Sequence, residues 1–394
     1  MTLDTSALTT FMWNYKFIIL FYFSLIAIVI INKKKFQFQA KFIALYRTKV
    51  GLKLMDKWGE KYREFIKLLG IIGIGTGFVG MAYIFVYVIS GFIKLFTVPD
   101  APATFSIVLP GVHIPGSAVF IPFWHGIIAL FIVVVIHEFG HGVVSRANKI
   151  PVLNSGIVFF GPLIGAFVEP DEKKLQKADD VTKYSVFAAG PFANLILALM
   201  ALAVFSLIFT PVINSMVTPG GFSFVSIQED LPAMQAGLEA EVTYNLVNNI
   251  EIKNANEFVD SLSGIKPGEI ITIANSTHTY EITTTSNPND ETKAYIGVLG
   301  INTIQNVNEG IPIWLVDLLR WFEKLLMWIF MLSIGLGAAN LLPLGPVDGG
   351  RMIQLALTKI KGDKKGHIIW VKTSLLLLII ILILIFFPMI KAIF

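Results

Sequence analysis

A His-Glu-Phe-Gly-His pentapeptide at residues 137–141 is the feature of the sequence that most clearly indicates chemistry. On a helix, residues four apart lie on one face, about 6 Å apart along the axis. His137 and His141 are therefore predicted to bind one zinc ion, with Glu138 in reach of a zinc-bound water. Ionisable residues inside an apolar stretch usually mark a functional site. The alternative is that they are interfacial side chains at a helix end, hydrogen-bonded to nearby backbone.

A third ligand must come from elsewhere in the chain, because a catalytic zinc ion usually has three protein ligands and one open position for water. The sequence has no cysteine, so this ligand must be His, Asp or Glu. Asp348 lies in a segment, residues 340–351, where two prolines and glycines interrupt an apolar helix. Such broken backbone is tolerated at membrane depth only when it is buried in protein or lines a wet cavity. Asp348 is therefore the predicted third ligand.

The remaining histidines are isolated in the sequence, and each is predicted to be a surface or interfacial side chain rather than a ligand. They are His113, His125, His278 and His367.

The elements that must position these residues are mostly membrane helices. The 394 residues are 55% hydrophobic and only 15% charged, whereas a soluble protein has about a quarter charged residues. Apolar runs near the 20 residues needed to cross a bilayer occur six times. The predicted spans cover residues 17–31, 68–96, 125–144, 184–209, 315–339 and 368–394. The predicted fold is an α-helical polytopic membrane protein.

Charge in the connecting segments predicts the orientation. Eleven basic residues against three acidic ones separate the first two spans, and the loops at 146–183 and 351–367 are also basic. Positive charge marks the cytoplasmic side. We therefore expect a multi-pass cell-membrane protein with its N-terminus outside and its metal site towards the cytoplasmic leaflet.

Two further segments beside the spans have a predicted structure. Residues 36–67 are basic with apolar residues at partly helical spacing. An amphipathic helix that lies at the inner interface and leads into the second span is expected there, and a specific lipid site is the alternative. Residues 152–169 contain scattered glycines and are too broken for a span, which predicts a re-entrant hairpin beside the site. Its edge strand is expected to pair with an unwound substrate, and the alternative is a structural plug that closes the cavity.

A polar insert, residues 219–309, separates the fourth and fifth spans. It has twelve acidic residues against three lysines and alternating apolar positions typical of strands, which predicts a small α+β domain outside the membrane. Its Leu-Pro-Ala-Met-Gln-Ala-Gly-Leu segment at 231–238 resembles the Ser-Pro-Ala-x-x-Ala-Gly-Leu segment of bacterial-type PDZ domains. A groove that binds a peptide or a substrate end is implied by that resemblance.

The combined motifs resemble the site-2 protease family of intramembrane zinc metalloproteases. The resemblance rests on the pentapeptide at 137–141, the Asn-to-Asp-Gly segment at 340–349, a Gly-Pro-Phe-Ala-Asn element at 190–194 and the PDZ-like insert. It implies a Zn²⁺ cofactor held by His137, His141 and Asp348, and Glu138 as the catalytic base. It also implies that Asn194 and Asn340 hold substrate or support the site; amides bridging two packed helices are the alternative for both.

These inferences predict a membrane protease with four regions. Residues 1–67 hold the first span and the basic segment, and residues 68–210 hold the helix of the pentapeptide, the hairpin and the Gly-Pro-x-x-Asn helix. Residues 219–309 form the PDZ-like domain, and residues 313–394 hold the Asn-to-Asp-Gly helix and the last span. The expected partners are membrane-anchored protein substrates and the lipid bilayer, and no nucleic acid.

Three other functions remain possible at this point. A membrane zinc protease with a glutamate as third ligand would need a Glu on a later span in the same leaflet. A zinc transporter or sensor would normally place further His or Asp residues on several spans. A scaffold with an inactive membrane core would bind no metal.

Overall fold

The computed structural model describes residues 13, 15–39, 43–98, 103–107, 109–117, 119–160, 163–288 and 290–393. The first twelve residues of the predicted first region and the two residues at the tip of the hairpin lie outside this set. The chain divides into two compact units. Unit 1 comprises Met1–Phe205 and Glu323–Phe394, and unit 2 comprises Ser206–Phe322.

Helices long and apolar enough to cross a membrane number five among the described residues. Within unit 1 lie α3 (Arg63–Thr97), α4 (Phe123–Ala147), α6 (Asp180–Val204) and α12 (Asp363–Ile393). The fifth, α10 (Ile313–Asn340), runs from unit 2 into unit 1. The predicted first span forms a shorter apolar helix, α1 (Lys16–Ile31), of 16 residues. An α-helical polytopic membrane protein is therefore confirmed, with five long helices where the sequence predicted about six.

Short helices connect these spans in unit 1. They are α2 (Leu52–Lys61), α5 (Glu172–Lys177) and α11 (Asp348–Lys361). Two of the helices begin at aspartates whose side chains accept a backbone N–H three residues on: Asp171 caps α5 and Asp179 caps α6. Such caps satisfy N–H groups that lack a partner within the helix.

A four-stranded antiparallel sheet packs beside α4. Its strands are β1 (Gln37–Gln39), β2 (Ile43–Thr48), β3 (Val152–Phe160) and β4 (Leu163–Pro170), in the order β1-β2-β3-β4. The hairpin β3–β4 lies where the sequence predicted one. The amphipathic helix expected over 36–67 is confirmed only in its second half, where α2 leads into α3. Residues 37–39 and 43–48 form β1 and β2 instead, and β2 supplies the partner that the backbone of β3 needs.

Glycines let the helices of unit 1 approach closely. A Cβ on Gly140 of α4 would lie 2.7 Å from the Ala189 carbonyl oxygen and 2.8 Å from the Ala193 Cβ, both on α6. The backbones of α4 and α6 are therefore in direct contact at the pentapeptide. This contact brings the side chains of His137 and His141 against one face of α6.

Unit 2 is a small α+β domain. A long antiparallel pair joins β5 (Val217–Ile227) to β12 (Val298–Val307). A second sheet has the order β7 (Ile250–Glu251), β6 (Leu246–Val247), β8 (Ile270–Ala274) and β9 (Thr279–Thr283). The rest comprises β10 (Thr285–Asn287) paired with β11 (Asp290–Tyr295), and the helices α7 (Thr210–Met216), α8 (Pro232–Gln235) and α9 (Ala255–Leu262).

The hydrophobic core of unit 2 is aromatic and fully enclosed. Phe222, Phe224, Tyr244 and Phe258 each have 0% of their surface exposed. The turn between β6 and β7 consists of Asn248 and Asn249, both with positive φ (49° and 63°), as a two-residue type I′ hairpin requires.

Candidate metal centre

Three side chains from two helices meet at one point in unit 1. The Nε2 atoms of His137 and His141 on α4 are 3.2 Å apart. The Asp348 Oδ2 atom, at the first residue of α11, is 3.1 Å from the first of these and 3.3 Å from the second. Within the described residues, this is the one group of three or more His, Cys, Asp or Glu residues close enough to hold a metal ion.

The triangle of these three atoms fits a zinc ion. Zinc binds such ligands at about 2.0–2.2 Å in tetrahedral geometry, which separates neighbouring ligand atoms by about 3.3 Å. Asp348 Oδ2 is buried and has no hydrogen-bond donor among the described residues, a condition that a carboxylate avoids unless it binds a cation. A carboxylate and two imidazoles form a donor set that zinc accepts.

A glycine on α6 leaves the space that an ion would need. A Cβ on Gly190 would lie 2.3 Å from His141 Nε2 and 2.5 Å from His137 Nε2. Any larger residue would therefore place its side chain against the very atoms that face the ion. This contact gives a physical reason for the glycine in the Gly-Pro-x-x-Asn element.

The same face of α6 orients both imidazole rings. His141 Nδ1 lies 2.7 Å from the Val186 carbonyl oxygen, so Nδ1 carries the proton and Nε2 presents its lone pair. His137 Nδ1 lies 3.2 Å from the Asn194 Nδ2 atom, and the buried Asn194 Oδ1 has no hydrogen-bond partner in the described part of the chain. Rotation of the Asn194 side-chain amide exchanges its oxygen and nitrogen, and Oδ1 then accepts from His137 Nδ1–H. Residues 186, 190 and 194 are spaced by four, as are the two histidines.

Asp348 is held in place by a tightly folded connection between α10 and α11. A Cβ on Gly349 would lie 2.3 Å from the Leu341 carbonyl oxygen, and one on Gly350 would lie 2.3 Å from that of Leu344. The chain therefore folds back over the start of α11 in a way that only glycine permits. The first turn of a helix also favours a negative charge, which suits a carboxylate at this position.

Glu138 lies in the same cavity as the three candidate ligands. Its Oε2 accepts a hydrogen bond of 2.9 Å from the backbone N–H of Val168 on β4. The cavity has a volume of about 300 Å³, and its wall includes Val168, Pro346 and Asn340. There is room for a water molecule and a peptide group beside the candidate ligands.

The structure places the remaining predicted residues as follows. Asn194 is fully buried and contacts His137, which is a supporting position. Asn340 lines the cavity, but its Nδ2 donates to the Leu336 carbonyl of its own helix. Three other groups at the site were not predicted from the sequence. They are the Val186 carbonyl, the Val168 N–H and Arg351, whose guanidinium lies 2.7 Å from Glu172 and covers the Phe187 ring.

The edge strand of the hairpin is β4, and not β3. Strand β3 is paired on both sides, with β2 through Ile43–Thr48 and with β4. Strand β4 is the last in the order, and residues 164–170 each keep part of their surface exposed. A free edge therefore faces the candidate metal centre, as the contact between Val168 and Glu138 shows.

The chain is similar to a family of peptidases and to individual proteins. Residues 125–381 match Peptidase family M50. The chain is 28% identical over 312 residues to an uncharacterised protein of Methanocaldococcus jannaschii, covering 77% of this chain and 75% of that one. It is 39% identical to the zinc metalloprotease RasP of Oceanobacillus iheyensis over 61 residues, 14% of each chain.

A solved structure also resembles part of the chain. The PDZ domain of an SdrC-like protein from Listeria monocytogenes aligns over 20% of this chain and 84% of that domain, with 22% identity and a TM-score of 0.18.

Together the membrane helices, the candidate ligands and the matched region define a multi-pass membrane zinc metalloprotease. The chain belongs to Peptidase family M50, the site-2 protease family, as its motifs predicted.

Proposed function

We propose that this enzyme hydrolyses peptide bonds in or near the transmembrane segments of membrane-anchored proteins. The supporting observation is the place of the cavity, which is lined by residues of three helices long enough to span a membrane (α4, α6 and α10) and by the start of α11. A chain cleaved there has to reach a site among membrane helices. The natural source of such a chain is a membrane-spanning substrate.

The proposed roles follow from the contacts. His137, His141 and Asp348 hold the zinc ion. When bound, zinc lowers the pKa of a bound water towards about 7 and polarises the scissile carbonyl. Glu138 takes the proton of the attacking water and passes it to the nitrogen of the leaving amine. Val186 and Asn194 fix the two imidazoles in the orientation that directs Nε2 at the ion.

Substrate binding is proposed to occur at the free edge of β4. A membrane helix has its backbone hydrogen bonds closed internally, so it must unwind before a peptide carbonyl can enter the site. An unwound chain in an apolar medium needs new partners, and the edge of β4 offers outward-facing N–H and C=O groups. The substrate would then lie along β4 with one peptide group in the cavity.

The orientation of the enzyme is also a proposal. The basic segments around α2, α5 and α11 favour the cytoplasmic side for the end of α4 that carries the pentapeptide. Unit 2, with its acidic surface, then lies outside the membrane. A peptide or substrate end bound by unit 2 would let the enzyme select substrates by their outer part.

The test is cleavage of a single-span model substrate by purified, zinc-loaded protein in lipid. Glu138→Gln should retain zinc and lose turnover, because an amide cannot take a proton from water. Asp348→Ala should lose both zinc and turnover, and a chelator should reproduce that loss. Glu64→Gln on the exposed surface of α3 is the matched control and should cleave normally. Turnover by Glu138→Gln would refute the role of Glu138, and full zinc content in Asp348→Ala would remove it from the ligand set.

A further inference from the structure

The outer edge of β4 already has one hydrogen-bond acceptor, which is Glu138. The Val168 N–H donates to Glu138 Oε2 over 2.9 Å and so points away from β3. In an antiparallel strand, N–H groups alternate between the two sides, so the N–H groups of Ile164 and Ala166 face the same edge. Val168 differs from those two because it lies in the wall of the metal-site cavity. Its N–H is thus the outward donor next to the candidate ligands.

A substrate strand and Glu138 would compete for this donor. Adding a strand to β4 requires a carbonyl of the new strand to accept from the Val168 N–H. The amide has a single proton, and a well-aligned hydrogen bond has one principal acceptor. The carboxylate must therefore leave the Val168 N–H before the chain beside the candidate ligands can pair fully.

We propose that the Val168 N–H is a positioning group. In the substrate-free enzyme it donates a hydrogen bond to Glu138, and when substrate binds it donates to a substrate carbonyl instead. The inference rests on the proposed function, in which substrate pairs with β4. Pairing frees the Glu138 carboxylate, whose oxygen can then accept the proton of the attacking water. The base is therefore released by the same event that places a peptide bond in the cavity. A chain that enters without unwinding leaves Glu138 bound to β4.

The proposal predicts how substrate affinity depends on residue 138. Glutamine keeps an oxygen that accepts from the Val168 N–H, whereas alanine removes the competitor. Both variants lack the base, so a bound substrate is not cleaved, and neither side chain is charged. One neutral hydrogen bond contributes about 2- to 10-fold to an equilibrium. Glu138→Ala should therefore bind a substrate about 2- to 10-fold more tightly than Glu138→Gln.

The experiment is a double-mutant cycle with a fluorescently labelled single-span peptide that the wild-type enzyme cleaves. Its Kd is measured on zinc-loaded Glu138→Gln and Glu138→Ala, each with Val168 and with Val168→Pro. Proline removes the N–H, and an edge strand tolerates it where the N–H faces outward. With Val168 present, the Glu138→Ala variant should bind the peptide more tightly than the Glu138→Gln variant. With Val168→Pro, the two values of Kd should be equal.

The controls separate this inference from the proposed function. Ala166→Pro removes an outward N–H that does not contact Glu138, so it should weaken substrate binding. The ratio of the Kd of Glu138→Ala to the Kd of Glu138→Gln should stay unchanged. Equal Kd values in the Val168 background, with binding weakened by Ala166→Pro, would overturn the inference and leave strand addition standing. Unchanged binding in Ala166→Pro would overturn strand addition and the inference with it. If the wild type cleaves no single-span peptide, the proposed function fails first. Zinc content and the melting temperature of each variant confirm that it is folded.

Discussion

His137 and His141 direct their Nδ1 atoms at one face of α6, and this arrangement defines the candidate site as much as the ligands do. The sequence predicted the two histidines, Glu138 and Asp348, because their side-chain types and spacing are specific to zinc chemistry. It could not reveal the Val186 carbonyl or the Val168 N–H, since every residue has these groups. The spacing of four between Gly190 and Asn194, matched to that of the histidines, is the signal that could have assigned α6.

Asn194 provides a prediction about metal affinity. Asn194→Leu should weaken zinc binding about 10- to 100-fold, because His137 loses the acceptor that fixes its tautomer and ring. Asn194→Asp should restore most of the affinity, because a carboxylate oxygen can accept from Nδ1–H. Zinc affinity is measured by competition with a chelator of known strength. A leucine variant with wild-type zinc affinity would show that Asn194 serves only helix packing.

Gly190 provides a prediction about space at the ion. Gly190→Ala should abolish zinc binding while α6 stays helical, since its Cβ would press on both Nε2 atoms. Gly335→Ala, on α10, is the matched control because no atom lies within 4 Å of its added Cβ. Zinc content by mass spectrometry and helicity by circular dichroism are measured on both. Zinc binding by the Gly190→Ala variant would mean that the ion binds farther from α6 than the positions of the three ligand atoms indicate.

At the scale of elements, the periodicity of the spans was readable from sequence, whereas strand pairing in the basic segment was not. Residues 37–39 and 43–48 become strands because the backbone of β3 needs a hydrogen-bonding partner, a requirement set by distant residues. The ion pair of Arg47 on β2 with Glu169 on β4, 2.5 Å long, links three strands across β3. Hydrogen bonding from Arg47 lowers the pKa of Glu169. The ion pair therefore stabilises the fold fully at a pH above the ordinary pKa of glutamate, and this stabilisation is lost as the pH falls through the lowered pKa of Glu169.

Proline substitution distinguishes the paired strand from the edge strand. Ile157→Pro should lower the melting temperature, because the N–H of Ile157 faces β2 and the variant loses a hydrogen bond between β2 and β3. Ala166→Pro should leave the melting temperature unchanged, since its N–H faces the free edge. Thermal unfolding in detergent, followed by circular dichroism, measures both. Equal destabilisation by the two prolines would contradict the strand order described above.

At the scale of the whole molecule, hydropathy and charge predicted a helical membrane protein with a small polar domain, and both units are present. The count of long spans differs from the predicted six, because α1 is apolar apart from Lys16 and Ser24 but only 16 residues long. Apolar composition alone does not determine whether such a segment crosses the bilayer or ends within it.

Unit 2 is predicted to fold without the membrane helices. Residues 217–308 enclose a complete core, so this fragment should be soluble and unfold cooperatively. Phe258→Ala should destabilise it by about 3–5 kcal/mol, because Phe258 is fully buried. The neighbouring Val259→Ala, at a side chain that is 54% exposed, should change stability little. Chemical denaturation measures both values, and a fragment without a cooperative transition would contradict its independence.

Residues 186, 190 and 194 of α6 contact the two histidines at matching positions along the helix. A shift of α6 along its axis by a fraction of a turn would displace the Val186 carbonyl, the space at Gly190 and the Asn194 amide from the histidines at the same time. The protein would then release its ion before any reacting group had changed. Metal retention in this family member therefore reports the mechanical alignment of two helices, and a compound or lipid that displaces α6 would inactivate the enzyme without entering the cavity.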